Sequence, residues 1–234
     1  MSGLAFVFSC EHGGNRVPPA YARLFASAAA RAALASHRGF DLGAAAIARR
    51  LAADFDQKAH VHAVTRLLVE PNRSPRHPAL FSPWSMGLDA AARQALLARH
   101  YFPHRRQVEE ALRVELARAE QVVHVAVHSF TPVFGGLARR AGVGLLYDPA
   151  RPAEADLARR WQRELGARLP GVLIRRNYPY RGATDGFPTF LRRTLGPRYL
   201  GFELELNQGD LLVPRQNRSV LAALRASLQR LLRR

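Results

Sequence analysis

Two apolar runs in this sequence lead into histidine. Val122-Val123-His124-Val125-Ala126-Val127-His128-Ser129-Phe130 has the pattern of a buried strand that presents His128 at its edge, and the run at residues 4–10 stops at Glu11-His12-Gly13-Gly14. Neutral imidazole is the commonest metal ligand, and zinc typically takes histidine and carboxylate ligands with one position left for water. A single strand-end histidine is more often a hydrogen-bonded structural residue. Two in one chain point to a metal site, with Gly13 and Gly14 expected to let a metal or ligand come close. The third ligand should be a carboxylate. Asp41, which follows a glycine-containing loop, and Glu11, beside His12, are the candidates. Asp41 also occupies the expected N-cap of the helix that follows.

Glu203 and Glu205 lie two apart in Phe202-Glu203-Leu204-Glu205-Leu206, so strand periodicity puts both on one face. Carboxylates inside an apolar strand are costly unless paired, coordinated or protonated. Glu205, nearer the strand end, is the better general base, able to take a proton from water and pass it to a leaving amine. A salt bridge to one of the many arginines is the structural alternative. Arg66 and the Asn72-Arg73 pair supply an anion-binding side. A guanidinium fork matches a carboxylate, and an amide adds a neutral donor beside it.

These residues need elements to bring them together. Strands are expected at residues 4–10, 121–128, 143–147, 172–175 and 199–206, and residues 61–69 read as one strand or a kinked pair. Helical patterns occupy residues 19–36, 42–51, 88–119 with an interruption at Pro103, 153–169 and 218–232. The proline-bearing segment 71–86 and residues 177–187 read as loops. Apolar runs alternating with helical patterns argue for a sheet flanked by helices, in one α/β domain over residues 1–234. His12, Asn72-Arg73, His128, Asn177 and Glu205 all fall at or just beyond expected strand ends, where the binding sites of open α/β sheets collect.

Composition narrows the function classes. A formal charge of +17 would suit nucleic acid or an anionic membrane. Yet Lys58 is the only lysine, and the arginines are spread along the chain with one modest cluster at Arg230, Arg233 and Arg234. The field is therefore expected to draw in a small anionic substrate, and nucleic acid is not the expected partner. No apolar stretch approaches the ~20 residues that span a bilayer, and the N-terminal run lacks the flanks of a signal peptide. Cys10, the single cysteine, excludes an internal disulfide, and a reducing cytoplasm is the expected compartment.

The same residues resemble those of a known family. Ser9-Cys10-Glu11-His12-Gly13-Gly14-Asn15-Arg16-Val17-Pro18 is similar to the opening motif of the N-formylglutamate amidohydrolase family, especially its predicted branch. The similarity continues, in family order, through His37-Arg38-Gly39-Phe40-Asp41-Leu42-Gly43 and through Arg66 with Glu70-Pro71-Asn72-Arg73-Ser74. It resumes at His128-Ser129-Phe130, Asn177-Tyr178-Pro179-Tyr180 and Leu204-Glu205-Leu206-Asn207-Gln208.

The wider group resembles the zinc carboxypeptidases and aspartoacylases. The resemblance implies a three-layer α/β/α domain with a mixed, mostly parallel sheet. It implies hydrolysis of an N-formyl or other N-acyl amino acid, the type of reaction used in histidine degradation. It further implies one Zn²⁺ on His12, Asp41 and His128, Arg66 polarising the carbonyl, Asn72 and Arg73 holding the substrate carboxylate, and Glu205 as base. Asn177, Tyr180 and Arg181 are expected to line the pocket from a loop. Two features depart from the relatives. The tight His-x-x-Glu spacing of the carboxypeptidases is absent, and His12-Gly13-Gly14 stands where the histidine-degradation enzymes have His-Ser-Gly.

Overall fold

The apolar runs pair as strands because each can bury one or both faces against its neighbours. The structure, a computed structural model, describes residues 2–232, so Arg233 and Arg234 of the basic cluster lie outside the described residues. In chain order the strands are β1 (Ser2–Cys10), β2 (His60–Val61), β3 (Ala119–Phe130), β4 (Val133–Phe134), β5 (Leu137–Ala138), β6 (Val143–Leu146), β7 (Ile174–Arg176) and β8 (Tyr199–Asn207). All but β4 and β5 form a six-stranded sheet in the order β2-β1-β3-β8-β6-β7; β4 and β5 make a hairpin of their own. β2, β1, β3 and β8 run parallel, β6 is antiparallel to β8, and β7 is parallel to β6. The sheet is mixed and mostly parallel, as expected.

The helices are α1 (Ala28–Leu34), α2 (Ala44–Asp54), α3 (Ala90–Leu96), α4 (Phe102–Leu116), α5 (Pro152–Arg168), α6 (Phe187–Leu195), α7 (Gln208–Leu212) and α8 (Pro214–Leu231). Side-chain alternation divides the sheet's two faces. Phe6, Phe8, Val123, Val125, Val127, Phe202, Leu204 and Leu206 form the main core with α2, α5 and α8. The opposite face begins apolar, with Val7, Val122 and Tyr199 packed on Val108 and Leu112 of α4 and Leu191 of α6. Toward the strand ends that face turns polar, through Ser9, His124, His128, Glu203 and Glu205. The chemistry is therefore confined to one face and one end of the sheet.

Several elements differ from expectation. Residues 61–69 are apolar without being a strand. Only His60 and Val61 pair with β1, with one further bridge from Arg16 to Val64. Val64, Leu67, Leu68 and Val69 instead fill a side core with Phe25, Leu80, Leu96 and Tyr101. Residues 19–36 divide into a 3₁₀ turn, Pro19–Phe25, and α1, which starts at Ser27 because its hydroxyl accepts the Ala30 N–H at 3.1 Å. The interruption in 88–119 is a π turn, Leu97–Tyr101, leading into α4 just before Pro103. A proline there has no N–H for the regular ladder and crowds the carbonyl four residues back. α6 has no counterpart in the expectations; Pro188 sits in its first turn, where proline is well tolerated.

Candidate active site

The site starts where β1 ends. Cys10 O accepts the His62 N–H at 2.9 Å and Ala63 O accepts the Arg16 N–H at 3.1 Å, so the turn after β1 lies against residues 61–63. Gly13 and Gly14 make that packing possible: a Cβ would lie 2.3 Å from Val61 Cγ1 at Gly13 and 2.5 Å from the Ala63 carbonyl oxygen at Gly14. The glycines thus admit neighbouring chain, where the sequence suggested close approach by a ligand. The turn leaves His12 pointing inward, and its carbonyl accepts the Asp41 N–H at 2.9 Å. Asp41 is not the N-cap of α2. Gly43 holds that position with φ of 80°, which frees the Asp41 side chain to face the histidines.

Three donor atoms converge there. His128 Nδ1 lies 2.9 Å from Asp41 Oδ2, His12 Nδ1 lies 3.2 Å from the same oxygen, and the two Nδ1 atoms are 3.2 Å apart. Tetrahedral zinc with bonds of ~2.0–2.1 Å to nitrogen and oxygen places its ligand atoms about 3.3 Å from one another, so this triangle has the right size. Among the described residues, these three form the one group of His, Cys, Asp or Glu side chains whose atoms come together in this way. Asp41 Oδ2 also faces the Ser129 N–H at 3.3 Å, and Ser129 is tied in turn to Leu42 O and Gln208.

The far nitrogen of each imidazole faces a carboxylate. His12 Nε2 makes a short contact with Glu70 Oε1, and His128 Nε2 lies 3.3 Å from Glu11 Oε2. Carboxylates placed behind metal-binding histidines fix the tautomer and orientation of the ring. Glu11 therefore backs His128, and Asp41 is the carboxylate that meets both rings. Burial disfavours charge throughout, but here it is outweighed. His12 and His128 hold Asp41 well below the usual carboxylate range, while the hydrogen bond to Asp41 and the charges of Asp41 and Glu11 raise His128 well above the ordinary histidine value.

Beside this triangle a cleft of about 200 Å³ opens, lined by His12, Asp41, His128, Arg66, Arg73, Arg139, Tyr180, Arg181, Glu203 and Glu205, among others. Glu205 is directly opposite His128 in the β3–β8 register. Its Oε2 is buried without a hydrogen-bond partner. Burial, opposed by His128 and reinforced by Asp41 and Glu203, pushes its pKa up to about 8. Arg66 donates from Nε to Glu70 at 2.7 Å and places Nη1 3.5 Å from Asp41. Arg73 donates to the Asp185 carbonyl, and Asp185 accepts the Ser74 N–H at 3.0 Å.

Residues 4–211 match the family model for N-formylglutamate amidohydrolase. The chain belongs to the N-formylglutamate amidohydrolase family. It is accordingly a hydrolase of amide C–N bonds. A gene product of Agrobacterium tumefaciens superposes with a TM-score of 0.77 at 27% identity, over 97% of this chain and 90% of that one. An N-formylglutamate amidohydrolase from Ralstonia eutropha JMP134 gives a TM-score of 0.68 at 19% identity, over 99% and 92% of the two chains. No curated protein sequence matches significantly. Among the described residues, no helix is long and apolar enough to cross a membrane.

In this amidohydrolase the sequence-derived residues do not all stand in the same relation to the cleft. His12, Asp41, His128, Arg66, Asn72, Arg73, Tyr180, Arg181 and Glu205 line it together. Asn72 reaches the wall with its amide already engaged, donating to Glu203 Oε1 at 2.8 Å and accepting the Phe187 N–H at 2.8 Å. Asn177 is not among the lining residues. Its φ is 49°, and its side-chain oxygen accepts the Tyr147 and Gly182 N–H groups at 3.1 and 3.0 Å. It pins the 177–186 loop to the end of β6. Glu70 and Glu11 drew attention in the sequence only as members of a motif and as a spare ligand. The contacts that give them a part in the amidohydrolase site come from the fold.

Proposed function

We propose that this chain is a zinc-dependent hydrolase of N-acyl amino acids, with N-formyl amino acids as the first substrates to try. The observation that carries the reading is the convergence of His12 Nδ1, His128 Nδ1 and Asp41 Oδ2 beside a cleft that also holds Glu205. Two imidazoles and one carboxylate with an open side suit zinc. When bound there, the metal would supply Lewis-acid polarisation of the water and of the scissile carbonyl.

The chain's own groups would do the rest. Glu205 Oε2 takes a proton from the attacking water and delivers it to the departing nitrogen; a carboxylate made more basic by burial is suited to both transfers. Arg66, steadied by Glu70 and Asp41, presents its remaining N–H groups to the oxyanion that develops on the carbonyl oxygen. Arg73 grips the carboxylate of the amino acid, with Arg181 and Tyr180 at the same wall. Asn72 holds Glu203 and the start of α6, which keeps Arg73 in place.

Metal analysis of the purified chain and of His128→Ala, with hydrolysis assays on N-formyl and N-acetyl amino acids, tests this. About one zinc per chain, lost in the variant, together with zinc-dependent release of the free amino acid supports it. No bound metal, and no activity after zinc is added, would overturn it.

A further inference from the structure

One buried carboxylate at the site has no step of its own in this scheme. Glu70 is 6% exposed and is not among the residues that line the cleft, so it does not reach a substrate. Its oxygens are nonetheless committed. Oε1 meets His12 Nε2 and accepts the Asn72 N–H at 3.1 Å. Oε2 accepts Arg66 Nε at 2.7 Å and lies 2.5 Å from Arg66 Nη2. Its own N–H is bonded to Leu80 O at 2.9 Å, which fixes the backbone that carries it.

Resting on the metal-dependent reading above, we infer that Glu70 is a positioning residue that sets His12 and Arg66 with a single carboxylate. With Nδ1 of His12 turned toward Asp41 and His128 as a ligand atom, Nε2 carries the ring proton and needs an acceptor. Arg66 offers only donors. A group between two donors must accept on both sides, and a carboxylate does so. Glutamine has one acceptor, so its NH₂ would be forced against either His12 or Arg66. Glu11 is placed differently behind His128: its other oxygen lies 3.5 Å from His104, with no arginine in the pairing. Glu70 thus links the orientation of a metal ligand to the aim of the guanidinium that faces the carbonyl.

Glu70→Gln tests the link in the zinc-loaded enzyme. Zinc affinity, read by competition with a chromophoric chelator, should fall about 10–100-fold. At saturating zinc, kcat should fall about tenfold or more through the misaimed Arg66, with KM little changed. Placed in an Arg66→Ala background, the same substitution should still weaken zinc but cost little further kcat. Glu70→Asp, which keeps both acceptors, should recover part of each loss. Zinc affinity and kcat in Glu70→Gln within about twofold of the unsubstituted chain would overturn the inference.

If the glutamine variant does not fold, ¹⁵N-histidine spectra of the unsubstituted zinc-loaded chain decide the matter. A protonated His12 Nε2 supports the inference, and coordination through Nε2 overturns it. A chain that binds no zinc overturns the metal-dependent function, and this inference with it. Unchanged affinity and turnover in Glu70→Gln overturn this inference alone.

Discussion

His12 Nδ1 and His128 Nδ1 lie 3.2 Å apart, and both face the same oxygen of Asp41. Two imidazole lone pairs at that distance repel, so a proton or a cation must stand between them. Without metal, the proton is held on His128, whose pKa the neighbouring Asp41 and Glu11 raise well above the ordinary histidine value against the effect of burial. Zinc uptake near neutral pH should therefore expel at least one proton per ion. Calorimetric heats of binding should vary with the ionisation enthalpy of the buffer, and apparent affinity should climb with pH. Heats identical in all buffers would remove the proton from this account.

Glu205→Gln should keep its zinc and lose most of its turnover, by about 10²–10⁴-fold. Glu205 works as a base only when ionised. Because burial and the nearby carboxylates push it up to about 8, activity should rise with pH as it deprotonates. A bound cation favours the ionised form and moves that limb below the metal-free value. The limb should be missing from the residual activity of the variant. An unchanged pH profile would assign the base role elsewhere.

Arg73 faces the cleft with its guanidinium steadied by the Asp185 carbonyl. Arg73→Lys loses the bidentate fork and should raise KM for N-acyl amino acids about 10-fold or more, while kcat stays within about threefold. An N-acyl amine without a carboxylate should not sense the change. Equal effects on both substrate types would place the clamp elsewhere.

His124 is fully buried on β3, 2.7 Å from Ser9 Oγ and 2.8 Å from the Tyr199 hydroxyl. Burial lowers its pKa to about 4. The unfolded chain takes up this proton near the ordinary histidine value, so the folded state binds fewer protons between the two. Stability is complete above about 6.5 and declines as pH falls toward 4. Denaturant titrations at pH 7 and pH 5 should differ by on the order of 2 kcal/mol more in the unsubstituted chain than in His124→Gln. Parallel losses in the two proteins would count against His124 as the source.

The strands that carry His128 and Glu205 are legible in the sequence because an apolar run that stops at a polar residue has few other readings. The sequence offers both Asp41 and Glu11 as candidate ligands, and only family resemblance favours Asp41; its position also fits a cap, a role that Gly43 fills. Residues 61–69 misled because burial in a side core leaves the same apolar signature as a strand. Asn177 misled for a related reason. An asparagine that stabilises a left-handed turn and one that faces a substrate look alike until the Tyr147 and Gly182 N–H groups that donate to its side-chain oxygen are seen. Glu70 meets His12 across 58 positions of chain, and no local pattern records that contact.

The β4–β5 hairpin shares no ladder with the six-stranded sheet, yet it carries Phe134 to the cleft mouth. At its tip a Cβ added to Gly135 or Gly136 would meet nothing within 4 Å, although their φ of 57° and 78° favours glycine there. Changes in the length of this hairpin are not constrained by the core that fixes His12, His128 and Glu205. The hairpin can thus lengthen or shorten and reshape one wall of the cleft without disturbing the strands that carry His128 and Glu205.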